Sequence, residues 1–173
     1  MKSTYESRAL KFASILSRLF EDCVTLDDFN YMTKRYNACH SRTLRTAHGV
    51  SRFAIIRADY VIKFDMQPDK DFEDGRAGNC ISEQEVYERA CADGFEYLLA
   101  KTTVVELNGH TISIMPRING IGDWNKDWTD YCTDEEREWL FENVNDLHEY
   151  NVGYRRRKVC VIDYAWDAET CDW

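Results

Sequence analysis

Residues 146–163 read Asp146-Leu147-His148-Glu149-Tyr150-Asn151, then a short stretch ending in the basic tetrad Arg155-Arg156-Arg157-Lys158, then Val159-Cys160-Val161-Ile162-Asp163. An acid and an amide stand five residues apart, and a second acid ends an apolar, β-branched run that reads as a buried strand. Asn151 and Asp163 offer hard oxygen ligands of the kind magnesium takes. Asp146 is an acid that could orient or deprotonate an acceptor hydroxyl. Taken singly, each has a plainer role: Asp146 is a charge in a loop after a helix, and Asn151 is a turn residue. Their joint spacing is the uncommon feature. The basic tetrad reads as a solvated turn, with a local anion patch as the alternative.

The elements upstream set the frame for this stretch. Ala9, Phe12, Ala13, Leu16, Leu19 and Phe20 recur at helical spacing and predict a helix over residues 4–22. Thr25 followed by Asp28 reads as an N-cap with an acidic first turn, and Leu26, Phe29, Met32 and Tyr36 carry a second helix to about Asn37. After Gly49, Phe53 and Ile55 alternate across a strand, Ala58-Asp59 turns the chain, and Tyr60-Val61-Ile62-Lys63-Phe64 forms another. Residues 67–79, with Pro68, Gly75 and Gly78, predict a loop. Ser82 with Glu85 predicts a capping box for a helix running to about Ala92, which Gly94 stops. Strands over 102–107 and 111–115 flank Asn108-Gly109, a strong hairpin signal, and Pro116 ends the second. Residues 119–132 are expected to be mostly loop. Thr133 caps a helix with Glu135, Glu136 and Glu138 in its first turns and Trp139, Leu140 and Val144 on its apolar side. The last ten residues show no clear element. The fold class is α+β.

Composition narrows the function classes. The chain has 173 residues, the size of one ordinary domain. Its net charge of −9 argues against binding nucleic acid over a broad surface, and leaves open a basic partner. No apolar run is long enough to cross a bilayer, and the start reads as a charged amphipathic stretch rather than a signal peptide. A cytoplasmic protein that binds no membrane is expected. Seven cysteines, with no Cys-x-x-Cys pair, and four dispersed histidines give no support to structural zinc. Cys160 reads as a small core residue in a reducing compartment.

Lys63 stands in the middle of an apolar strand, where an ammonium is costly unless it meets an anion. It reads either as a phosphate clamp or as an edge-strand lysine pointing to water. A clamp needs an acid from the following helix, and Glu83, Glu85 and Glu88 are available.

From Gly49 to Ala165 the chain resembles a reduced protein-kinase-like fold. The likeness rests on Asp146-x4-Asn151, on Asp163 at a strand end, and on Tyr60-Val61-Ile62-Lys63, which is similar to the Val-Ala-Ile-Lys strand of kinases. Asp-Leu-His-Glu-Tyr-Asn and Ile-Asp-Tyr-Ala are also similar to segments of short kinase-like proteins of bacteriophages and of truncated effector kinases of enteric pathogens. The resemblance implies a minimal kinase-like fold: a small antiparallel sheet, a helix after the lysine strand and a truncated helical C-lobe over residues 46–173. A helical hairpin over residues 1–45 packs on that core. It implies a protein that binds ATP with Mg2+ and phosphorylates itself or a host protein in the host cytoplasm. Asp146 and Lys63 would be catalytic, Glu85 would pair with Lys63, and Asn151 and Asp163 would hold the metal. The backbone of Met115-Pro116-Arg117-Ile118 would form the hinge, with Met115 and Arg117 meeting adenine.

The chain also departs from the kinase pattern. Val144-Asn145-Asp146 replaces His-Arg-Asp, His148 stands where many kinases carry a lysine, and Asp163-Tyr164-Ala165 replaces Asp-Phe-Gly. His48-Gly49-Val50-Ser51 occupies the place of a Gly-x-Gly-x-x-Gly loop. Ten residues after Asp163 are expected to leave no room for an activation loop. These departures support a second reading, a catalytically dead pseudokinase or an acidic phage protein that inhibits a host enzyme by binding it. A small-molecule phosphotransferase of the aminoglycoside or choline kinase type also uses Asp-x4-Asn, but needs acceptor-binding helices for which the sequence shows no candidate.

Overall fold

Asn108 and Gly109 both take left-handed backbone angles, φ 49° and 80°, and turn strand Thr103–Leu107 back into strand His110–Pro116. An Asn-Gly pair tolerates these angles at low cost, which fixes the register of the hairpin. The computed structural model describes residues 4–41, 43–49, 51–67, 79–120, 122, 127–144, 146–156 and 158–164. It divides into two compact units, one formed by the chain to Cys80 with Thr103–Arg117, the other by Ile81–Thr102 with the chain from Ile118 onward.

The first unit opens with helices α1 (Tyr5–Leu19) and α2 (Leu26–Cys39). The Thr4 hydroxyl caps α1, and a reciprocal box between Thr25 and Asp28 starts α2. Five strands follow: β1 (Arg45–His48), β2 (Arg52–Ile56), β3 (Tyr60–Asp65), β4 (Thr103–Leu107) and β5 (His110–Pro116). They form one antiparallel sheet in the order β1-β2-β3-β5-β4. Strand β1 adds to the pair of strands expected before the loop. It is a mostly exposed edge of sequence Arg-Thr-Ala-His, with no apolar alternation to reveal it.

Alternation along the strands sorts the two faces of this sheet. Phe53, Phe64 and Ile112 are aligned across β2, β3 and β5, as are Ile55, Ile62 and Ile114. With Phe20 of the α1 end and Phe29 of α2 they form the core of the unit. The helical pair therefore covers one face of the sheet and shares its unit. Ala54, Lys63, Ser113 and Val104 form the row on the opposite face.

The second unit holds most of α3 (Cys80–Asp93), α4 (Asp134–Asn143), and a two-stranded hairpin of β6 (Val152–Arg155) and β7 (Lys158–Val161). Short 3-10 turns cover Glu96–Leu98, Trp128–Tyr131 and Glu149–Asn151. Two local expectations need correction. The predicted Ser82–Glu85 capping box does not start α3, because the helix begins two residues earlier and Ser82 lies inside it. The Cys80 amide instead donates to the Asp65 carboxylate at 2.9 Å, a cap supplied from β3. The basic tetrad is not a spacer before one strand but the turn of a hairpin, with Arg155 paired to Lys158 and Arg156 at φ 52°. Thr133 caps α4 as expected, and Glu136 completes a reciprocal box with it. The loop over 68–78 and the tail from residue 165 lie outside the described residues. Among the described residues no helix is long and apolar enough to cross a membrane.

Candidate functional site

The second unit brings Asp146 and Asn151 together and sets Ile162, the residue before Asp163, against Asn151. Asn151 is 9% exposed and closes the 3-10 turn that follows Asp146. Its amide nitrogen Nδ2 lies 3.0 Å from the Asp146 carbonyl and 3.2 Å from Asp146 Oδ2. The five-residue spacing is therefore closed by side chain on backbone. The Asn151 carbonyl accepts the Ile162 amide at 2.9 Å, which places Asp163 one residue beyond that bond. Strands β6 and β7 form the hairpin between the two ligand candidates, so strand pairing brings Asn151 against Ile162, next to Asp163.

The Asn151 amide has a definite orientation. An amide nitrogen donates and cannot accept, so its contacts with Asp146 turn Oδ1 away from that residue. Oδ1 takes no hydrogen bond among the described residues. His148 lies alongside. Its Nδ1 is 3.2 Å from the Tyr150 amide, and its Nε2 is 3.0 Å from Asn151 Nδ2 and 3.6 Å from Asp146 Oδ1. A neutral imidazole accepts through one nitrogen only, so it takes one of these two amides at a time. In either arrangement Asn151 remains held by Asp146.

Tyr164, which follows Asp163, is fully buried. Its hydroxyl bonds the Ala100 carbonyl and lies 2.7 Å from Thr102 Oγ1. Burial pushes this phenol well above its ordinary pKa, so it stays protonated. The Ala100 amide donates to the Val161 carbonyl at 2.8 Å, and Leu99 bridges Val161 in parallel. No local pattern in the sequence announced Tyr164 or Thr102, because their partners are about sixty residues away.

Around α4 a second polar cluster stabilises the same unit. Glu136, 4% exposed, accepts from the Thr133 amide, from Tyr97 at 2.9 Å and from Lys158 Nζ at 3.1 Å. Burial pushes its carboxyl up, but these donors together hold it below the usual carboxylate value. Tyr97 is pushed up to about 12, by burial first and then by the bond to Glu136.

Gly120 sits beside the hairpin at φ 69°, and an added Cβ would lie 2.3 Å from Tyr154 Cδ2. The neighbouring Asn119 carbonyl accepts the Tyr154 amide at 2.8 Å. Only glycine fits this close approach.

The first unit holds Lys63, Met115 and Arg117. Lys63 is 6% exposed and lies on a strand with neighbours on both sides, opposite Ala54 and Ser113. It is not an edge-strand lysine. The Cys80 thiol donates weakly to the Lys63 carbonyl at 3.7 Å, so the start of α3 is fastened to β3 next to the lysine. Met115 is buried and paired with Val61 in the sheet. The Arg117 amide donates to the Asp59 carbonyl at 3.1 Å. Of the three acids considered in α3, Glu83 is fully buried while Glu85 and Glu88 are exposed. Cys80, Glu83, Val86 and Ala90 share a buried stripe at helical spacing, a signal that was present in the sequence.

Among the described residues no three of His, Cys, Asp and Glu cluster closely enough to hold a metal. Zinc of the structural kind requires such a cluster. Magnesium uses one or two protein oxygens and completes its shell with water and substrate phosphates. Asn151 Oδ1, which takes no hydrogen bond among the described residues, fits the second pattern and not the first. No protein-family model and no curated protein matches the chain.

Proposed function

We propose that this chain is a minimal kinase-like protein that binds ATP with magnesium and transfers phosphate to itself or to a host protein. The observation that carries the reading is the closure of Asp146 on Asn151, with the Ile162 amide on the Asn151 carbonyl drawing Asp163 alongside. In kinases, an acid, an asparagine and a second acid serve as acceptor base and metal ligands in that order. Further support comes from Lys63, a buried lysine on the third strand of the sheet, where kinases carry their phosphate-binding lysine.

The roles follow from the chemistry. Asp146 is half exposed and would orient the acceptor hydroxyl and take its proton. Lys63 would bind the phosphates. Within α3, Glu83 is buried, while Glu85, the acid the resemblance points to, and Glu88 are exposed. Asn151 Oδ1 and Asp163 would hold magnesium, which when bound neutralises charge on the phosphates. Of the proposed adenine contacts, the Arg117 amide is already bonded to Asp59. Lys63→Ala and Asp163→Asn should each abolish transfer of labelled phosphate from ATP while the far-ultraviolet circular dichroism stays that of the parent. Full transfer by both variants contradicts the proposal.

One observation favours the second reading, a pseudokinase or inhibitor that works by binding. The connection between β1 and β2 spans only residues 49–51, and the Gly49 amide closes on the Arg52 carbonyl at 3.0 Å. A turn this tight replaces the glycine loop that covers the phosphates in kinases. This reading predicts no phosphate transfer by the parent and a stoichiometric complex with a host protein.

A further inference from the structure

We infer that the Tyr164 hydroxyl pins the backbone at Asp163, so that the segment carrying the metal position of the proposed site is permanently set rather than switched. The inference rests on the kinase-like reading and extends it to regulation. In kinases the residue after the metal-binding acid is a phenylalanine whose packing separates active from inactive states. Phenylalanine has no polar atom, so either packing leaves no hydrogen bond broken. Tyr164 differs by one oxygen, and that oxygen is fully engaged.

The hydrogen-bond inventory fixes the arrangement. A phenol has one hydrogen, which goes to the Ala100 carbonyl. Thr102 must then be the donor in its 2.7 Å contact with the phenol oxygen. Both groups are buried, so if Tyr164 swings out water replaces neither bond and only the longer 3.4 Å contact between Thr102 Oγ1 and the Ala100 carbonyl is left to them. On the other side of Asp163, the Ile162 amide is bonded to the Asn151 carbonyl. Two residues earlier, Val161 is tied to Leu99 and Ala100. Residues 99–102 thus hold 161 and 164, Asn151 holds 162, and Asp163 lies between fixed neighbours. Swinging this backbone segment out with the Tyr164 ring would break two buried hydrogen bonds and expose an aromatic ring.

Tyr164 is therefore a positioning residue, and two readouts separate this role from plain packing. The first needs no nucleotide: amide hydrogen exchange of Ile162 and Asp163 in the whole protein. Tyr164→Phe keeps the ring and removes the oxygen, and these amides should exchange about tenfold faster than in the parent, with the β6 and β7 amides unchanged. The second is the magnesium concentration that half-saturates ATP binding, which should rise about tenfold while ATP binding in chelator stays the same. Thr102→Val removes one bond from the other side and should move both readouts in the same direction by about threefold, which keeps the test decisive if Tyr164→Phe does not fold. Parental exchange rates and an unmoved magnesium midpoint in a folded variant overturn the inference. A parent that binds no ATP with magnesium overturns the functional reading instead, and the exchange comparison then decides alone whether the pin exists.

Discussion

Around Phe29, in the first unit, stability comes from rings. Phe20, Phe29, Phe53 and Phe64 are fully buried, with centroids 4.9 to 6.0 Å apart in stacked and edge-on pairs. Around Glu136, in the second, it comes from donors and acceptors, with one carboxylate serving a helix cap, a phenol and a lysine. Rings lose area when they are cut and are indifferent to pH. A buried carboxylate depends on its proton and on every one of its partners.

The largest effect should come from the rings. Phe29→Ala removes a side chain in contact with three others and should cost about 3 to 5 kcal/mol, read by denaturant unfolding. A loss under about 1 kcal/mol would mean that the helical pair is an ornament on the sheet rather than part of its core.

A smaller effect should come from the polar frame. Glu136→Gln keeps the shape, loses the charge, and should cost about 2 kcal/mol, reduced from the buried-pair range because Lys158 is 56% exposed. The sign with pH is fixed by the lowered carboxyl. Its contribution is complete above the ordinary value of 4.5 and is lost as pH falls below it toward the lower folded value. The parent should therefore lose stability on acidification below about 4.5, and Glu136→Gln should lose less over the same range. Identical acid curves for the two proteins would sever the link between this cluster and the stability of the second unit.

The sequence was most legible where structure is written locally. Asn108-Gly109, the Thr25 and Thr133 N-caps and the alternation from Tyr60 to Phe64 each need only a few neighbours. It was least legible where the partner is remote. Cys80 is capped by Asp65 across a long loop, so Ser82 drew the helix start away from its true place. Strand β6 was hidden because its turn uses Arg156 at φ 52°, where Gly or Asn would have signalled it, and because it is only four residues long. In the candidate site, Asp146 and Asn151 were readable from spacing alone. The burial of Glu83 and the exposure of Glu85 depend on which stripe of α3 faces inward, and the spacing of Cys80, Val86 and Ala90 that marks it was passed over for Glu85, the neighbour of Val86. The role of the Tyr164 hydroxyl was not legible, because its partners Ala100 and Thr102 are remote in sequence.

Equilibrium binding of ATP, measured by titration calorimetry in magnesium and again in chelator, tests the central claim most directly. The account predicts binding that strengthens at least tenfold with magnesium in the parent and loses that gain in Asp163→Asn. Equal affinity in both buffers, or a gain that survives Asp163→Asn intact, would contradict it.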